Sequence, residues 1–273
     1  MAQKAHPTIL RPSFSLYKGS TCWDEAKFHY ITSTIHKLIE YCCLGTGNYL
    51  NKISIYRHLG LIIIEIDLIN LHLRSKRRFV SRRFKENRTK IKKQSWTIVA
   101  CRLQTVLKLI QKLSGTKKVT IKVKRLKIYT RSVPKPARKQ LAYFNKSFNR
   151  TKYDFARYGM QLIYLVLKDK AKAISLSRFL TQNICSRQKR KRHYQFLAFI
   201  KQAFKALEPH KKIQGLKIQI KGRFTHKAKG RSRVWKYQIG SMPLSQLSKN
   251  IQAEYTQTQT AYGSVGIKVW ICS

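Results

Sequence analysis

The chain has 273 residues, and hydrophobic residues make up 43% of it. That is enough apolar material for about two domains with real cores, which excludes a wholly disordered chain. Lys and Arg number 58 against 10 Asp and Glu, a net charge of +48, so self-repulsion disfavours a compact free monomer and calls for a polyanionic partner.

The charge is spread over the whole chain. A membrane-surface anchor would concentrate it on one amphipathic helix, whereas burial among RNA phosphates suits basic residues in strands, loops and helices alike. The most apolar run, Leu59 to Leu71, is broken by Glu65 and Asp67 and is too short to span a bilayer, so no membrane span is expected. Neither a secretory signal nor a transit peptide is read at the N-terminus. The cysteines at 22, 42, 43, 101, 185 and 272 form no CxxC pair and no zinc spacing with histidine. They read as free thiols in a reducing compartment. No cofactor or metal is expected.

Taken in order, Ser20-Thr21 with Asp24 marks a helix start, and Phe28, Ile31, Ile35, Leu38, Ile39 and Cys42 recur at helical spacing until Gly45 and Gly47. Strands are predicted over Lys52 to His58 and Leu61 to Leu71, with Gly60 in the turn. In the second strand Ile62, Ile64, Ile66 and Leu68 share one face. A basic insertion, 74–95, follows. Its Arg74, Lys76, Arg77, Arg78, Arg82 and Arg83 are candidate phosphate contacts, or else a solvated loop. Ser95 is then placed as the cap of a helix carrying Val99, Leu103, Val106 and Ile110, stopped at Gly115. Lys118 to Leu126 alternates as a strand.

Helix, strand, strand, helix, strand resembles a type II KH domain over 49–127, after an N-terminal segment and helix over 1–48. KH domains clamp nucleic acid through a GXXG loop, yet no glycine lies between Gly60 and Gly115. The domain therefore reads as a scaffold whose inserted loop touches phosphates.

Residues 128–158 form a basic linker with Tyr143, Phe144, Phe148, Tyr153 and Phe155 interleaved. These aromatics suit either base stacking or burial against a neighbouring protein. Helices are predicted over Met160 to Ala173 and Leu176 to Ile184. The run Arg187, Lys189, Arg190, Lys191, Arg192 precedes a third helix with a core stripe of Phe196, Phe199, Ile200, Ala203, Phe204 and Leu207, ended by Pro209.

The last domain, 159–273, closes on three alternating runs. Leu216, Ile218, Ile220 and Phe224 point one way, with Lys217, Gln219, Lys221 and Arg223 opposite. Val265, Ile267, Val269 and Ile271 form a second inward row, and Arg233, Trp235, Tyr237 and Ile239 share a face between them. Arg231 adds charge beside that strand.

Gly215 to Phe224, then Met242-Pro243-Leu244, then Thr260 to Ile271 resemble the C-terminal domain of the small-subunit ribosomal protein three family. The opening MAQKAHP is similar to that family's start. The resemblance implies an α/β (α+β) chain: an N-terminal type II KH-like domain followed by a C-terminal α/β domain with a mainly antiparallel sheet and packed helices. It also implies small-subunit rRNA, mRNA and neighbouring ribosomal proteins as partners, in the subunit head near the site where messenger enters. The family's helix there carries two Arg and a Lys that help unpair mRNA. Here the Lys is matched by Lys201, while the Arg positions become Leu197 and Ala198. Arg187 to Arg192 could supply the missing charge, or could bind rRNA.

No catalytic constellation is expected with so few acids. LGLIIIEID, Leu59 to Asp67, faintly resembles a homing-endonuclease motif, but it alternates like a strand and has no second copy. The basic insertions favour a mitochondrial ribosome, with plastid and bacterial origins left open, and the family-like start favours synthesis inside the organelle. The alternatives are a non-ribosomal organellar RNA-binding protein or an endonuclease- or maturase-like enzyme.

Overall fold

A computed structural model describes residues 5–11, 25–43, 48–58, 60–70, 82–116, 118–126, 135–136, 139, 142–143, 154–185, 193–224, 231–260 and 262–273. The chain divides into two compact units. Residues 19–127 form one, and residues 1–18 join 128–273 to form the other.

In the first unit, α1 (Glu25–Cys43) leads into β1 (Asn48–His58) and β2 (Leu61–Asn70). Gly60, at φ +72°, makes the turn that an L side chain would strain. The long helix α2 (Arg82–Ser114) then carries the chain back to β3 (Lys118–Leu126). The sheet order is β1-β2-β3, with β2 antiparallel to β1 and parallel to β3. Period-two alternation puts Ile62, Ile64, Ile66 and Leu68 under the helices, where they meet Ile31, Ile35 and Ile39 of α1 and Val99, Val106 and Ile110 of α2. Each such side chain contributes about 1.5–3 kcal/mol on burial.

The start of α2 corrects the prediction. The helix begins at Arg82, so Ser95 lies inside it and caps nothing, and half of the supposed basic loop is helical. Arg, Lys, Glu and Gln are good helix formers, and the segment RRFKENRTKIKKQ holds no Gly or Pro. Propensity builds that turn of chain without any apolar stripe.

In the second unit, α3 (Asp154–Leu167), α4 (Ala173–Cys185) and α5 (His193–Leu207) precede four strands: β4 (Gly215–Gly222), β5 (Arg233–Gly240), β6 (Ile251–Thr260) and β7 (Gly263–Cys272). The first helix starts earlier and ends earlier than predicted. Asp169, in the left-handed region at φ 56°, terminates it: the amide of Asp169 donates to Val166 O at 2.9 Å and that of Lys170 to Leu165 O at 3.0 Å. That pair of bonds is a Schellman cap, with Asp in the place glycine usually takes.

The sheet runs β5-β4-β7-β6, antiparallel throughout. Leu216, Ile218, Ile220, Val265, Ile267, Val269 and Ile271 are buried on its inner face. Phe155, Phe179, Phe196, Phe199 and Phe204 are buried too, with Phe155 edge-on to Phe196 at 5.2 Å and to Phe199 at 5.4 Å. Phe155 is thus a core residue of its own unit, neither a stacking platform nor an outward contact.

Strand β6 was not anticipated. Its sequence IQAEYTQTQT is polar, yet it pairs with β7 along its full length and lies against α4, where Thr181 Oγ1 approaches Thr256 Oγ1 at 3.2 Å.

Candidate nucleic-acid interface

The outer face of this sheet divides in two. On the β6 side, Ile251, Ala253, Trp270 and Cys272 form a small second core, closed by Met242 and Leu244 from the loop before β6. The N-terminal segment holds that loop. Arg11, 2% exposed, donates to four main-chain oxygens: Nε to Lys249 O at 2.9 Å, Nη1 to Pro7 O at 3.0 Å, and Nη2 to Leu244 O at 3.0 Å and Gln246 O at 2.7 Å. A guanidinium fork surrounded by carbonyl dipoles can stay charged without a carboxylate partner. His6 meets Tyr255 at 4.4 Å between ring centroids, so both chain ends complete one domain.

The other half of the face is cationic. Register places Gln219 of β4 between Lys236 of β5 and Lys268 of β7. Lys217 and Lys221 lie two residues to either side of Gln219 on the same face. Four ammonium stems therefore ring one amide, about 5 Å away across the strands and about 7 Å away along them. No carboxylate shares this face among the described residues of the four strands, because Glu254 of β6 pairs with Val269 and points to the other side. Lys217 Nζ sits 5.6 Å from the Trp270 ring centroid, and Lys268 Nζ sits 4.8 Å from that of Tyr255. These cation–π contacts hold two stems over aromatic faces and leave the charge at the surface.

Of the residues singled out in the sequence, the structure brings together Lys217 and Lys221, both on this face. Arg223, Arg231 and Arg233 gather where β4 ends and β5 begins: Arg223 is half-buried, the other two are exposed, and Gly222 pairs with Arg233. Lys201 is not with them. It is exposed on α5, in the helical layer on the opposite side of the sheet. There Tyr194, Ala198, Lys201 and Lys205 form a solvent-facing stripe at helical spacing, while Leu197 is buried at 4% exposure. An arginine could be presented at 198 but not at 197. Arg82 and Arg83 open α2. Arg74, Lys76, Arg77, Arg78, Arg187, Lys189, Arg190, Lys191 and Arg192 lie outside the described residues.

Lys236, Lys268 and Lys205 were missed by the sequence reading. Strand parity would have found the first two, since each lies one residue from an inward-facing residue on either side, Lys236 between Trp235 and Tyr237 and Lys268 between Ile267 and Val269.

Glu65 and Asp67, the acids of the endonuclease-like run, sit on strand β2. Lys124 Nζ holds Glu65 Oε2 at 2.9 Å, and that bond, with the charges of Lys124, Lys122 and Lys52, keeps the carboxyl below its ordinary proton affinity. Among the described residues no three His, Cys, Asp or Glu group as metal ligands, and no helix is long and apolar enough to cross a membrane.

Comparison with known proteins places the lysine face on a recognised scaffold. Residues 187–271 match the family described as Ribosomal protein S3, C-terminal domain. This segment is similar to a ribosomal protein S3 C-terminal domain. Relatives include small ribosomal subunit protein uS3c of Tetradesmus obliquus, 41% identical over 76 residues, covering 28% of this chain and 11% of the relative. The uS3c of Cyanophora paradoxa is 34% identical over 101 residues, 37% of this chain and 42% of the relative. The uS3 of Myxococcus xanthus is 27% identical over 123 residues, 44% of this chain and 53% of the relative. The chain thus spans about half, or less, of the length of these three relatives. The lysine face and the Met242–Leu244 loop both fall inside the matched S3 domain.

Proposed function

We propose that this chain is a structural, RNA-binding constituent of the small ribosomal subunit of an organelle, and that it is not an enzyme. The observation that carries the reading is an acid-free face, Lys217, Lys221, Lys236 and Lys268, on an S3 C-terminal domain. Ammonium groups fixed on strands contact phosphates without selecting bases, which is the chemistry of rRNA anchoring. A net charge of +48 makes the free chain self-repelling and the RNA-bound chain stable.

Within that reading the finer assignments are these. The α1-β1-β2-α2-β3 unit is a KH-like scaffold without a GXXG clamp. The α5 stripe of Tyr194, Lys201 and Lys205, with the Arg187–Arg192 run before it, meets incoming messenger in the subunit head. The charge excess and the basic insertions point to a mitochondrial rather than a plastid ribosome. Sucrose-gradient sedimentation at high salt tests the core of the proposal. The chain should migrate with small subunits, and recovery at the top of the gradient at every salt concentration overturns it.

A further inference from the structure

The outer face of the first unit's sheet differs from every other charged surface described in the molecule. Ile62, Ile64, Ile66 and Leu68 turn inward, so Ile63, Glu65 and Asp67 of β2 face out. Register sets Ile63 beside Tyr56 of β1, Glu65 beside Lys122 of β3, and Asp67 between Lys52 of β1 and Lys124 of β3. Lys52, Lys122 and Lys124 on the two flanking strands bracket the carboxylates on the middle one, and with Lys118 beside Leu61 the face holds four lysines against two acids. The same count over the whole chain is 58 against 10. Next to this mosaic lies an apolar end, where Tyr56 is 50% exposed and Ile63 partly so.

We propose that this face docks a protein and not RNA, and that the docked surface offers an apolar side chain to Tyr56 and Ile63 and charges of both signs to the mosaic. A phosphate laid across the sheet to reach Lys52 and Lys122 would run over the acidic side chains Glu65 and Asp67 of the strand between them. Like charges held that close are repulsive, and the lysines have nearer partners in the carboxylates. A protein surface avoids the conflict, because it can place carboxylates over the lysines and an ammonium or guanidinium over the middle strand. The half-exposed tyrosine fits the aromatic enrichment of protein interfaces. The ribosomal reading enters only in naming the particle in which the partner resides.

The test is photo-crosslinking in living cells that express the full chain, with a diazirine amino acid at position 56 and, separately, at position 219 on the lysine face. Position 56 should yield one recurrent adduct whose captured peptide, read by mass spectrometry, carries apolar and oppositely charged residues together. The double change Glu65→Lys with Asp67→Lys should cut that yield at least tenfold and leave the yield at 219 unchanged. If yield at 219 also falls, the gentler pair Glu65→Gln with Asp67→Asn decides, and it should still weaken the adduct at 56 severalfold. RNA at position 56, a protein adduct indifferent to both variants, or no adduct above the unirradiated control overturns the proposal. Whether the adduct sediments with small subunits is scored separately, and it bears on the ribosomal reading alone.

Discussion

The two sheets of this protein use the same device to opposite ends. Both bury alternate isoleucines and valines under helices and turn the intervening residues out. In the second unit those outward residues are lysines around Gln219, with no acid among them on the described strands. In the first unit the middle strand contributes Glu65 and Asp67, and three of the facing lysines, Lys52, Lys122 and Lys124, gain a carboxylate neighbour, while Lys118 lies beside Leu61. Net charge alone cannot separate these surfaces, since both are rich in Lys. What separates them is where the scarce acids fall: 2 of the chain's 10 are on one short strand. The lesson is that, in a very basic chain, an interface is better located by its acids than by its bases.

The comparison can be broken first at the strap that divides the cationic face from the covered one. Arg11→Ala removes a buried guanidinium and leaves four main-chain oxygens without their donor. The expected loss is about 3–5 kcal/mol of the second unit's stability, read by urea denaturation. Trp270 should become accessible to quenchers in the same variant, and the first unit's transition should not move. Arg11→Lys, which cannot reproduce the fork, should recover little of the loss.

A smaller effect comes from His6. Its proton affinity is lowered, first by burial and then by the charge of Lys268. The unfolded chain therefore takes up a proton near the ordinary histidine value of about 6.5, and the folded segment takes it up only at lower pH. Stability from this contact is present above that value and is lost as pH falls through it. Denaturation midpoints measured between neutral and mildly acidic pH should decline in the native chain and decline less in His6→Phe.

Much of this was legible in the sequence because strand alternation is a strict period. Ile62 to Leu68, Leu216 to Ile220 and Val265 to Ile271 fall on the faces their spacing requires. The α1, α4 and α5 stripes were readable for the same reason at the helical period. What escaped lacked apolar periodicity. The first half of α2 is helical through Arg, Lys and Glu propensity, and so looked like a loop. Strand β6 was hidden because its partners are polar: Thr256 faces Thr181, and Tyr255 faces a lysine and a histidine. The role of Arg11 could not be read at all, since three of its four acceptors lie more than 230 positions away in the chain.

The central claim, that the lysine face grips RNA phosphates and the mosaic face does not, is tested most directly by the salt dependence of binding. Filter-binding titrations of the full chain against a structured RNA fragment give the slope of log K against log salt. Each phosphate contact adds roughly 0.7–0.9 to the magnitude of that slope. Changing Lys217, Lys221, Lys236 and Lys268 together to Ala should reduce it by about 3, while changing Lys52, Lys122 and Lys124 should leave it close to that of the native chain. Equal reductions in the two variants, or none in the first, would contradict the account.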